Sequence, residues 1–155
     1  MKTKILFILL TLVVSVEAAS SSVKIGELYY NLNNDKNEAE VTFKDRFDGV
    51  NYGNISNVTI PNTVAANGKS YSVVAVGDYA FVHCNQLSTV VIPEGVKSIG
   101  GDAFGYCSSL SAISIPTTVE TIGDLAFYDC SSLASVILPA GLKNLSKGLF
   151  MKCVF

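Results

Sequence analysis

Four cysteines and a single histidine are the side chains here with chemistry to offer. Cys84, Cys107, Cys130 and Cys153 recur every 23 residues, and His83 precedes the first of them. Thiols so placed could pair as Cys84–Cys107 and Cys130–Cys153, bind zinc, or act as nucleophiles beside an imidazole. Zinc is disfavoured, because an even column lacks the close spacing that lets a chain wrap a tetrahedron. A Cys–His pair is disfavoured too. Neighbours in sequence point apart, and the positions aligned with His83 hold Tyr106, Asp129 and Lys152, which share no chemistry. Disulfides stay open, since stacked strands hold equivalent Cα atoms within bridging range. The favoured alternative is a ladder of small buried thiols, because the column repeats in step with apolar residues. Asp78 and Asp124 share a repeat position, but Gly101 and Lys147 also fill it, which disfavours a calcium ladder. With no nucleophile-elbow, paired-carboxylate or phosphate-loop pattern, the sequence predicts no enzyme, no metal and no cofactor.

The cysteines belong to a larger repetition. Residues 81–103, 104–126 and 127–149 align at a period of 23, and 150–155 begin another copy. Phe81, Phe104, Phe127 and Phe150 form one column; Leu87, Leu110 and Leu133 another; Pro93, Pro116 and Pro139 a third. Residues 58–64 match the same pattern, but Pro61 precedes Pro93 by 32 residues. The surplus, residues 65–73, contains Asn67-Gly68, a two-residue hairpin turn, so the first repeat carries an inserted hairpin. A fixed period of this length predicts a solenoid, in which each unit buries its apolar side against its neighbours. Each Leu-x-x-Val/Ile-x-Ile/Leu-Pro stretch predicts a short strand ended by proline. Leu87, Val90, Ile92, Leu110, Ile113, Ile115, Leu133, Val136 and Leu138 then point inward, as do Ile99, Ile122 and Leu145. These strands stack in parallel on one side, and the Gly-x-x-Ala-Phe-x-x-Cys stretch returns opposite, with room for a turn or a single helical turn.

The 155 residues suit one domain, and 49% hydrophobic against 15% charged residues excludes disorder. Lys2 and Lys4, the apolar run 5–16 and Val16-Glu17-Ala18 predict a signal peptide over residues 1–18, with the mature chain from about Ala19. Its removal leaves 9 basic against 12 acidic residues and no basic stripe, which disfavours nucleic acid and anionic membranes as partners. Sequons at Asn54, Asn57 and Asn144 matter only in a glycosylating host. Residues 19–26 read as loose, 27–33 and 38–44 as two strands around a polar turn. In the second strand Glu38, Glu40, Thr42 and Lys44 should be wet, and Ala39, Val41 and Phe43 dry. This hairpin is expected to cover the open end of the stack, making 19–57 an N-terminal cap and linker ahead of repeats in 58–155.

Ile-Pro-x-x-Val-x-x-Ile-Gly-x-x-Ala-Phe-x-x-Cys-x-x-Leu, repeated over residues 58–155, resembles the BspA-type leucine-rich repeat, the 23-residue kind known from a Treponema pallidum surface protein. The resemblance implies a leucine-rich-repeat solenoid with a concave parallel sheet and short turn or helical segments opposite. It implies secretion or display on a cell surface, as in bacteria of the Bacteroides group, and adhesion to host matrix or cell-surface proteins. The contact face would be the outward strand positions Ser88, Thr89, Val91, Ser111, Ala112, Ser114, Ala134, Ser135 and Ile137, which are small and uncharged and suit a protein ligand. Tyr79, His83, Tyr106 and Tyr128 could form a second patch along the turns. The last repeat departs from the pattern: Leu145-Ser146 replaces Ile-Gly, and Leu149 replaces alanine. The alternative function is therefore a structural spacer or truncated module whose last rung, at Leu149 and Phe150, associates end to end with another chain.

Overall fold

A strand that proline stops at the same place in every repeat can pair in register only with its own copies. The computed structural model, which describes residues 22–44, 52 and 55–154, is built on such pairing. Its strands are β1 (Val23–Ile25), β2 (Leu28–Asn33), β3 (Glu38–Thr42), β4 (Asn57–Thr59), β5 (Thr63–Ala66), β6 (Lys69–Val76), β7 (Thr89–Val91), β8 (Ser98–Ile99), β9 (Ala112–Ser114), β10 (Thr121–Ile122) and β11 (Val136–Ile137). The first sheet is parallel throughout, in the order β11-β9-β7-β4. Val136 pairs with Ile113 and Ile113 with Val90, each one period apart. Val90 pairs with Val58, so the insertion changes the spacing in sequence and not the register.

The return side differs from expectation. It contains no helical turn among the described residues, and it carries a second sheet in the order β1-β2-β3-β6-β8-β10, with β5 also on β6. Glycine explains why these strands can meet. A Cβ on Gly100 would lie 2.4 Å from the Asp78 nitrogen, and one on Gly123 would lie 2.4 Å from the Gly101 nitrogen. The isoleucine of each Ile-Gly pair fills the core while the glycine lets the neighbouring backbone pass. Gly100 N–H donates to the Val76 carbonyl and Gly123 N–H to that of Ile99, both at 2.8 Å. In the last repeat the Ser146 hydroxyl reaches the Ile122 carbonyl. Among the described residues no strand pairs with β10 there, and Leu145, expected in the core, is 72% exposed. Leu149, standing where other repeats have alanine, is buried.

Beyond each glycine the chain runs through successive tight turns. Tyr79, Asp102, Leu125 and Gly148 form one left-handed column, and His83, Tyr106, Asp129 and Lys152 a second, with φ between 49° and 65°. These turns bond to the next rung. Phe81 N–H donates to Ala103 O at 2.7 Å, Phe104 N–H to Ala126 O at 2.8 Å and Phe127 N–H to Leu149 O at 3.1 Å. Asp78 accepts from the Gly101 N–H at 2.7 Å and Asp124 from that of Lys147 at 3.0 Å, which gives this aspartate position its purpose. Every rung is thus hydrogen-bonded on three sides.

The core follows the coil axis. Phe81, Phe104, Phe127 and Phe150 stack with ring centroids 5.3, 5.5 and 5.5 Å apart. Burial is worth about 1.5–3 kcal/mol for each such side chain. Tyr52 extends the column, 5.0 Å from Phe81. Its hydroxyl donates to the Thr42 carbonyl and accepts from the Tyr29 N–H at 3.1 Å, tying the N-terminal hairpin to the stack. That hairpin pairs β2 with β3 in antiparallel fashion and β3 with β6 in parallel. Part of the segment read as loose is a strand, since β1 pairs with β2 through Val23 and Tyr30. Thr42, expected wet, is buried beneath the Tyr52 contact. Asn67 and Gly68 both have positive φ, as a two-residue hairpin turn requires, and pairing extends from Thr63↔Ser72, wider than residues 65–73. The leader at 1–18 lies outside the described residues.

Gly123→Ala should lower the unfolding free energy by about 1–3 kcal/mol, because a backbone atom must move. Gly141→Ala, whose Cβ would meet only Thr117 O at 3.8 Å, serves as control and should stay within about 0.5 kcal/mol. Urea denaturation checks both. Equal effects would mean that rung spacing does not depend on glycine.

Candidate functional site

Alternation along a strand sends every second side chain outward. In the first sheet the outward pairs are Thr89 and Val91, Ala112 and Ser114, and Ser135 and Ile137. Ser111 and Ala134 are exposed just ahead of their strands, and Ser88 is half-buried. Asn57 and Thr59 of β4 continue the face to a fourth strand, a position the alignment of Pro61 with Pro93 already signals. Side chains cross the rungs in two rows: Asn57, Thr89, Ala112 and Thr59, Val91, Ser114, Ile137. Several polar groups serve the fold. Thr89 Oγ1 donates to Asn57 Oδ1 at 2.5 Å, and Ser88 Oγ to Ser56 O at 3.0 Å. Ser114 stands between Val91 and Ile137, which are 54% and 85% exposed. Not one of these outward residues is charged. The charge lies on the other side of the coil, where Lys143 meets Glu120 at 2.5 Å and, with help from Lys97, holds its carboxyl below the usual range.

The turn side carries a second arrangement. The His83 ring stacks on Tyr106 at 4.4 Å, Tyr128 meets Tyr106 edge-on at 5.0 Å, and Lys152 Nζ lies 5.0 Å from the Tyr128 ring. Tyr79 is exposed on the same side. His83, Tyr106, Asp129 and Lys152 share a left-handed backbone, so what that column demands is a conformation rather than a side-chain chemistry. His83 is exposed while Cys84 is buried, so the two face apart.

The four thiols are free. Cys107, Cys130 and Cys153 donate to the carbonyls of Phe81, Phe104 and Phe127, each at 3.1 Å. Burial pushes the Cys84 and Cys130 thiols up to about 12 and raises Cys107 well above the ordinary thiol range. Cys153, half-buried, is raised for the same reason. A neutral thiol in such a setting is a packing group, because reactivity belongs to the thiolate. Among the described residues no three His, Cys, Asp or Glu side chains gather as metal ligands do.

The model of the BspA type leucine rich repeat region matches residues 50–155 in six copies. Among solved structures, a leucine-rich repeat protein from Bacteroides ovatus is 34% identical with a TM-score of 0.74; the match covers 84% of this chain and 33% of that one. One from Bacteroides capillosus is 30% identical with a TM-score of 0.72, covering 86% of this chain and 92% of the other. A leucine rich cell surface protein from Faecalibacterium prausnitzii is 28% identical with a TM-score of 0.68, covering 85% and 40%. The chain therefore spans about a third of the first of these proteins and nearly all of the second. No curated protein matches it.

Cys84, Cys107 and Cys130 should react with Ellman's reagent at pH 8 at least about 100-fold more slowly in the native protein than in urea, with Cys153 reacting first. The folded thiols keep protons that the unfolded chain releases above about pH 9. Their contribution to stability is therefore complete below that pH and is lost as pH rises toward about 12. Each fully buried thiol should lower stability by up to ~1.4 kcal/mol per pH unit in that window. Immediate native labelling of several thiols would contradict the packing role.

Proposed function

The chain belongs to the BspA-type leucine-rich repeat family, and from that membership we propose an exported binding module that contacts protein ligands through the outer face of its first sheet. In this reading residues 1–18 direct export, 19–57 cap the first rung, and the repeats form a short solenoid whose first sheet is its concave side. A relative described as a cell surface protein supports an extracytoplasmic place. The observation that carries the reading is the uncharged four-strand face, with Val91 and Ile137 flanking Ser114. Such a face excludes water from a neutral partner without stranding a buried charge. Four strands at ~4.8 Å and four residues at ~3.3 Å give roughly 250 Å², well below the ~800 Å² per partner of a stable complex. Binding by one chain is therefore weak, and its strength on a surface comes from clustering. Host extracellular-matrix proteins, which present many copies of one site, suit that regime.

Surface plasmon resonance against immobilised collagen, fibronectin and laminin tests it. Wild-type chain should bind at least one of them. Ser114→Arg or Ala112→Arg should weaken binding at least about tenfold, since an arginine would be buried unpaired. Tyr106→Ser, on the turn side, should stay within about twofold. No binding to any of the three, or loss with Tyr106→Ser alone, would overturn the assignment of the face.

A further inference from the structure

The coil begins before its first full repeat, and one of its three sides begins late. β3 places a second-sheet strand ahead of β6, and Tyr52 places a ring ahead of Phe81. The first sheet has no such forerunner, for β4 is its outermost strand. The reason is the hairpin. The chain enters β3 from β2 by an antiparallel turn and so does not cross the first-sheet side on its way.

What is left there is specific. Ser88 N–H donates to Ser56 O at 2.7 Å and Ile60 N–H to Val91 O at 3.0 Å, so Ser56 and Ile60 face β7. Strand alternation then turns the main-chain N–H and C=O groups of Asn57 and Thr59 the other way, toward the open side. Beside them runs a groove lined by Ile25, Leu28, Tyr30, Ile55, Val58 and Val64. Exposed edges are commonly blunted by lysine or proline, and the outer strand of the second sheet carries Lys24. Residues 57–59 carry neither.

The geometry points to β4 as a strand-addition site: an extended segment of a partner protein, parallel to β4 and apolar at alternate positions, supplies the strand the first sheet lacks. The existing ladder defines that chemistry. On its other edge β4 is covered by Leu87-x-x-Val90-x-Ile92-Pro93, and β7 and β9 are covered by copies of the same pattern. A segment of that kind continues an interface the protein already forms three times. Its alternate apolar side chains enter the groove while its main chain bonds to Asn57 and Thr59. This site uses the edge of the sheet, not its outer face, and stands apart from the adhesion reading.

The test adds a nine-residue peptide with the sequence of residues 86–94 to the full chain and follows amide exchange by NMR. At saturation the Asn57 and Thr59 amides should exchange at least about tenfold more slowly, Val136 and Ile137 should not change, and a scrambled peptide should do nothing. Thr59→Pro removes the N–H that faces the open side while leaving the bonds to β7, and should weaken binding at least about tenfold. Should that variant not fold, Thr63→Arg at the mouth of the groove must give the same loss. Ser114→Arg should leave peptide binding intact, which separates this site from the face. The proposal fails if millimolar peptide gives no protection, if protection falls on β11, or if the variants that fold bind as wild type does. Protection of Asn57 and Thr59 without peptide that disappears on dilution would make a second copy the occupant and would also overturn it.

Discussion

The main chain of each rung must come within hydrogen-bonding distance of the next on three sides at once, and the rest of the structure answers to that requirement. Proline ends the first-sheet strand, glycine admits the neighbouring backbone in the second sheet, and left-handed residues fold the return. Relaxing any one of the three sides would tilt the rung and pull the other two out of register. The last repeat shows the effect locally. With Ser146 in place of glycine, the second-sheet strand is absent after β10, Leu145 turns outward, and Leu149 takes up core space that alanine leaves in other repeats.

The same requirement separates what is fixed from what is free. Inward columns hold phenylalanine, cysteine, leucine and isoleucine because each ring or thiol packs on its own copy one rung away. The thiols are held by burial and by a carbonyl acceptor, and the phenylalanine stack adds about 0.5–1.5 kcal/mol per ring pair beyond burial. Outward positions answer only to backbone conformation. The column of His83, Tyr106, Asp129 and Lys152 therefore varies in chemistry while its φ stays left-handed. Function in such a coil resides in its surfaces, and here the charge-bearing side and the neutral side are distinct.

Much of the fold was legible because a 23-residue period is a strong signal and alternation assigns inward and outward positions. The inward places of Leu87, Val90, Ile113 and Ile115, and the outward places of Thr89, Ala112 and Ser135, follow from alternation alone. The second sheet was not legible, since strands such as Ser98–Ile99 are too short for a periodicity and exist only because a neighbour lies in register. Leu145 and Leu149 exchange roles through packing, which an alignment does not show. Thr42 is buried by Tyr52, ten residues away, and alternation carries no information about that contact. Asn57 and Thr59 were hidden by the inserted hairpin, which shifts their repeat by nine residues against the later ones.

The central claim is that the rungs are interchangeable at one period and at no other. Deleting residues 104–126 joins Ala103 to Phe127 and removes one full rung. The shortened chain should keep the far-ultraviolet circular dichroism of stacked strands and unfold in one cooperative urea transition, whereas deleting 104–127 should not, because every inward side chain beyond the junction moves by one place. Cooperative unfolding of both chains, or of neither, would contradict the account.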